Sequence, residues 1–96
     1  MEATKLNGVT LVKIDARLDM KNAMELEQKL MKLSEDETNF TLDFEKVPYI
    51  SSAGIRALLS LYRTVSPLGG AVSIINANEE IKSVMDETDF SELFNM

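Results

Sequence analysis

Neither cysteine, histidine nor tryptophan occurs among the 96 residues of this chain. Without cysteine there is no disulfide framework, which fits a reducing compartment. Without histidine, Ser-His-Asp and Cys-His chemistry lacks its base that titrates near neutrality, and zinc loses its commonest ligands. Those enzyme classes are excluded, and the chain is expected to be non-catalytic. Glycine and proline are scarce, at four and two. The one glycine pair, Gly69-Gly70, follows Pro67 and reads as a loop after a helix, with no Gly-x-Gly-x-x-Gly and no Walker-type sequence anywhere. No nucleotide cradle, cofactor or metal is expected. No apolar run approaches the ~20 residues of a membrane-spanning helix, and Met1-Glu2-Ala3-Thr4-Lys5 is too polar for a signal peptide. The expected location is cytoplasmic.

Positive charge is also in short supply. Ten Lys and Arg face sixteen Asp and Glu, a net charge of −6, which argues against nucleic acid and anionic membrane as partners, since both are bound through Lys and Arg. A protein partner fits better. What is present is an ordinary globular balance, 45% hydrophobic and 27% charged, with no low-complexity tract. It predicts one domain over residues 1–96, long enough to bury a single core without metal or disulfide support.

Hydrophobic periodicity divides the chain. Residues 2–6 and 9–14 are strand-like runs joined by Asn7-Gly8, a strong hairpin signal. Asn22-Ala23-Met24-Glu25 has the form of a capping box, after which Ala23, Leu26, Leu30 and Leu33 share one helical face. Residues 40–44 alternate at period two, and Ile55, Leu58, Leu59, Tyr62 and Val65 return to helical spacing. Residues 71–75 form a short apolar strand. Asn78 is placed to cap a third helix with Ile81, Val84 and Met85 inward, and Phe90, Leu93 and Phe94 close the chain. Met24 and Met31 read as core or core-edge filler. The order hairpin, helix, strand, helix, strand, helix predicts an α/β fold, a mostly parallel sheet with one antiparallel N-terminal strand and helices packed on it.

In such sheets, sites gather beyond the carboxyl ends of the parallel strands. Two loops leave that edge, one carrying Asp19 and the other Ser51 and Ser52. A serine at a helix N-terminus meets free backbone N–H groups and the positive end of the helix dipole, an environment suited to a phosphoserine as well as to a plain cap. Arg56 lies one turn beyond Ser52, within reach of a phosphate there, or else is a solvated surface arginine. Asp19 reads as a binding-face acid or as a local cap. Asp15, Asp43, Glu45 and Glu79 read as solvated charges.

These residues resemble a known family. Ala16-Arg17-Leu18-Asp19 resembles the Gly-x-Leu-Asp element, and Tyr49-Ile50-Ser51-Ser52-Ala53-Gly54-Ile55 the Asp-Ser-Ser/Ala-Gly-Leu element, of STAS domains of the anti-sigma factor antagonist family. Aligning Gly54 with the family glycine puts Ser52 on the phosphorylated serine and Ser51 where the family usually has aspartate. Ala16 replaces glycine. The resemblance covers essentially the whole chain. It implies that a surface around Asp19, Ser51, Ser52, Gly54 and Arg56 binds an anti-sigma factor that is also a serine kinase, freeing a sigma factor. Phosphorylation of Ser52 by that kinase would end the interaction, and a serine phosphatase would reset it. Two alternatives stand beside this reading: a stand-alone STAS subunit docked on a transporter ATPase or another regulatory complex without phosphorylation, and a phosphoaspartate receiver, for which the chain is short.

Overall fold

The computed structural model describes all 96 residues. Strands β1 (Glu2–Leu6) and β2 (Val9–Lys13) form an antiparallel hairpin. Asn7 and Gly8 both take positive φ, 53° and 81°, as a two-residue type I′ turn requires. Helix α1 (Met20–Leu33), strand β3 (Asn39–Asp43), helix α2 (Ser52–Val65), a 3₁₀ turn at Ser66–Leu68, strand β4 (Ala71–Ile75) and helices α3 (Glu79–Glu87) and α4 (Phe90–Leu93) follow. The sheet order is β1-β2-β3-β4, with β2, β3 and β4 parallel. This is the expected architecture.

Alternation along the strands decides what is buried. Val12, Phe40, Leu42, Val72 and Ile74 point to one face and join Leu26 and Leu30 of α1, Leu58, Leu61 and Val65 of α2, Ile81 and Met85 of α3, and Phe94 in one hydrophobic cluster. The residues between them, Leu11, Thr41 and Ser73, are only half-buried on the opposite face. Thr10 also points into the core, and its hydroxyl is buried without a hydrogen-bond partner. At the edges the two outer strands differ. All five residues of β1 are exposed, whereas on β4 the Ile74 N–H donates to the Phe94 carbonyl at 2.9 Å. Phe94 is fully buried and meets Tyr62 of α2 edge-to-face at 6.3 Å between ring centroids.

Three sequence expectations are corrected. Helix α1 begins at Met20, not at Asn22: Asp19 has the extended backbone of an N-cap and its carboxylate accepts from Asn22 N–H at 2.9 Å. The spacing Asp19-x-x-Asn22 satisfies the helix end one turn earlier than the apparent capping box. Val84 is 37% exposed because α3 has only two and a half turns, and Ile81 and Met85 already fill its inward face. Met24 is 59% exposed and is not core filler, whereas Met31 does pack against the core.

Candidate functional site

Beyond the carboxyl ends of β2 and β3 the chain pairs once more, through a parallel bridge between Leu18 and Ile50. Leu18 N–H donates to the Tyr49 carbonyl at 2.9 Å, and Ser51 N–H to the Leu18 carbonyl at 2.9 Å. Each helix starts two residues later. The bridge therefore sets the N-termini of α1 and α2 side by side, with Asp19 capping one and Ser51 capping the other.

Ser51 is more than a cap. Its hydroxyl accepts from Gly54 N–H at 3.2 Å and donates to the Leu18 carbonyl at 2.7 Å, so one oxygen joins both loops. An aspartate, ionised at neutral pH, accepts but does not donate, and would face the Leu18 carbonyl oxygen without a proton to offer it. Of the two serines at the start of α2, Ser51 is the cap. Ser52 is the first residue of α2, exposed, and its hydroxyl makes no hydrogen bond within the protein. Gly54 is buried because α2 leans onto the bridge: a Cβ there would lie 2.6 Å from Ile50 Cγ1 and 3.2 Å from Leu18 Cβ.

On the α1 side, Asn22 returns the cap by donating from Nδ2 to the Arg17 carbonyl at 2.8 Å. The Arg17 guanidinium lies 4.5 Å from the centre of the Tyr49 ring, a cation–π contact across the two loops. Arg56 is exposed on α2 one turn beyond Ser52. The fold thus brings Asp19, Ser51, Ser52 and Gly54 to one edge with Arg56 just beyond it.

The other acids stand apart. Asp43 is held below the usual carboxylate range by Glu45 N–H, which donates to it at 3.0 Å, and by the Asn76 amide at 3.1 Å. Asp15 is lowered by the Met1 amino group at 3.2 Å. Both line a polar cleft of about 230 Å³ with Lys13, Glu45 and Lys46, and none of the expected site residues reaches it. No three Asp or Glu side chains converge as a metal site, and no helix is long and apolar enough to cross a membrane.

Sequence reasoning missed the double role of Ser51 and the Arg17–Tyr49 stack. Both join residues more than thirty positions apart, and nothing local in the sequence signals either.

Comparison with known proteins agrees with this fold. A family model described as STAS domain matches residues 1–96. The anti-sigma-B factor antagonist of Bacillus subtilis is 24% identical over 85 residues, 88% of this chain and 78% of that protein. A candidate anti-sigma factor antagonist from Thermotoga maritima superposes with a TM-score of 0.90 at 17% identity, covering 96% of this chain and 80% of the other. The Bacillus cell fate determinant SpoIIAA in its phosphorylated form gives 0.78 at 14% identity over 96% and 86%. The STAS domain of a SulP transporter from Vibrio cholerae gives 0.70 at 18% over 95% and 71%. At these identities the structural likenesses establish the fold.

Proposed function

This chain belongs to the STAS domain family, and from that premise we propose that it is an anti-sigma factor antagonist switched by phosphorylation of Ser52. The observation that carries this reading is the division of labour between the two serines. Ser51 spends its hydroxyl holding the loops together, while Ser52 presents a free, exposed hydroxyl on the first turn of α2. A kinase reaches that oxygen without unfolding a cap. In its unmodified state the face around Asp19 and Ser52 binds an anti-sigma factor that is itself a serine kinase, and the sigma factor is released. Transfer of a phosphoryl group to Ser52 adds about −1.5 to −2 charges at neutral pH and a bulky, strongly hydrated group in the middle of the docking face, which opposes docking, and it is reversed by a serine phosphatase. Catalytic groups reside on those partners, and the cytoplasm is where they meet.

The relative named as an anti-sigma-B factor antagonist and the structural neighbour in a phosphorylated form support this reading. The transporter-borne STAS neighbour favours a second one, in which the same edge docks on a transport complex and is never modified. Incubation of the chain with its candidate kinase and ATP, followed by intact-mass measurement, separates the two: a gain of one phosphate confined to Ser52 is expected. A stable complex in which neither serine is modified would replace the switch with the docking-subunit reading.

A further inference from the structure

The hairpin turn fixes which backbone groups of β1 are left free. In a two-residue hairpin the residues flanking the turn exchange hydrogen bonds, and bonded pairs then alternate along the strands. With Leu6 opposite Val9, Thr4 opposite Leu11 and Glu2 opposite Lys13, the N–H and C=O groups of Leu6, Thr4 and Glu2 turn inward to β2. Those of Ala3 and Lys5 turn outward, on a strand exposed along its whole length. A lysine on an edge strand ordinarily guards it against pairing. Here the Lys5 ammonium is drawn aside to Glu37, beyond the end of α1, at 3.0 Å.

The two faces of β1 are chemically different. Ala3 and Lys5 lie opposite Val12 and Thr10 and so share the face that the helices cover. Beside them, between β1 and the C-terminal half of α1, opens a hollow of about 370 Å³ whose lining includes Lys29, Lys32, Leu33 and Asp36. Lys29 and Lys32 are exposed and in no ion pair. Counting Glu37 against Lys5, and Asp36 against one other lysine, still leaves the hollow positive on a chain whose net charge is −6. On the opposite face of the hairpin the neighbours Leu6 and Val9 are 68% and 38% exposed.

We propose that β1 accepts an extended segment of a partner protein as a further strand, with carboxylate side chains on the α1 face and apolar side chains on the face of Leu6 and Val9. Such a strand lies about 4.8 Å beyond β1, bonds to the free groups of Ala3 and Lys5, and alternates its side chains between the two faces. Those on the α1 face enter the hollow toward Lys29 and Lys32. Those between them pack against Leu6. A second copy of β1 fits less well: the antiparallel register that pairs all five residues centres on Thr4 and sets the copy's lysine beside Ala3, on the side of the unpaired Lys29 and Lys32, where like charge opposes it. None of Asp19, Ser51, Ser52, Gly54 and Arg56 lines the hollow, so this surface is separate from the Ser52 edge and does not depend on the reading given under Proposed function.

The test uses the full isotope-labelled chain and the synthetic peptide acetyl-Thr-Glu-Val-Glu-Ile-Glu-Thr-amide, followed by NMR. On binding, amide hydrogen exchange is expected to slow at Ala3 and Lys5 and to change little at Thr4 and Leu6, whose N–H groups are already bonded within the hairpin. Lys29→Glu, Lys32→Glu, at exposed positions of α1, is expected to fold as wild type and to bind at least ~10-fold more weakly at low ionic strength. Ala3→Pro removes one outward N–H at an edge position, where proline is tolerated, and is expected to abolish binding. The same peptide with Lys in place of Glu is expected to leave the spectrum unchanged. No perturbation at about 1 mM peptide, wild-type affinity in the double glutamate variant, equal binding of the lysine peptide, or changes centred on residues 18–22 and 50–56 each overturn the proposal. Sedimentation of the free chain as a dimer that Ala3→Pro dissociates overturns it in favour of a second copy.

Discussion

Ser51 and Leu18, 33 residues apart, are joined twice through one carbonyl oxygen, which receives the Ser51 amide at 2.9 Å and the Ser51 hydroxyl at 2.7 Å. Removing the hydroxyl as Ser51→Ala leaves Gly54 N–H without its cap and Leu18 with one donor fewer. The expected loss is about 1–2 kcal/mol of stability. Ser51→Asp retains the cap but not the donated proton, so its melting temperature should fall between wild type and the alanine variant. Thermal melts of the three proteins check the order, and an aspartate variant less stable than alanine would mean that the carboxylate cannot be seated beside Leu18.

At Ser52 the expectations are different because it is the first helical residue and not the cap. Ser52→Ala should change stability by less than about 0.5 kcal/mol, keep partner binding and take up no phosphate. Ser52→Asp should fold at least as well as wild type, helped by negative charge at the start of α2, and bind the partner more weakly. Intact mass after incubation with kinase and ATP reads the first pair of claims and calorimetry the second. A modified Ser52→Ala protein would move the acceptor to Ser51.

Asp19 carries a cap and a charge, and two substitutions part them. Asn is as good an N-cap as Asp, so Asp19→Asn should melt close to wild type while binding the partner more weakly. Asp19→Ala should lose both, with about 1 kcal/mol of stability going with the cap. If the asparagine variant binds as wild type, Asp19 serves only the helix.

Gly54→Ala puts a methyl group against Ile50 and Leu18 at the bridge that aligns the two helices. A cost of about 1–3 kcal/mol is expected from overpacking, with the largest amide chemical-shift changes at residues 18–20 and 50–54. Thr10→Val acts in the opposite sense. It removes a buried hydroxyl that has no partner, and a gain of up to about 1 kcal/mol is expected in chemical denaturation.

Acid should be felt at Asp43. Its pKa is depressed in the folded state by the Glu45 amide and the Asn76 side chain. Its contribution is therefore present above the unfolded carboxylate value of about 3.9 and fades as pH falls through the lower folded value. A carboxyl-carbon NMR titration should show Asp43 ionising below an ordinary aspartate, and Asn76→Ala should bring it closer to one.

How much of this was legible beforehand follows the range of each interaction. Asn7-Gly8 specifies its turn through two adjacent residues, and the alternation of Phe40 and Leu42 marks a strand without reference to anything distant; both were read correctly, as were the bounds of β1 and β4. The start of α1 was misplaced because Asp19 and Asn22 both carry side chains fit to cap, and only the bridge to Ile50 decides between them. Met24 was read as filler on composition alone. Its exposure follows from its place on α1, whose buried residues are Ala23, Leu26 and Leu30. Asp19 and Ser52 stand out by sheet topology and by family motif, Arg56 by its helical spacing from Ser52, and their gathering at one edge follows from the topology.

The unequal edges of the sheet constrain how copies of this fold could assemble. A filament built by stacking sheets edge to edge needs two different open edges, so that each copy offers one and accepts with the other. Here the Ile74 N–H on β4 is already taken by Phe94, whereas all five residues of β1 are exposed. The two edges are therefore not equivalent templates for a further strand. Pairing of β1 with β1 of a second copy about a two-fold axis would use both of those edges at once and close on itself.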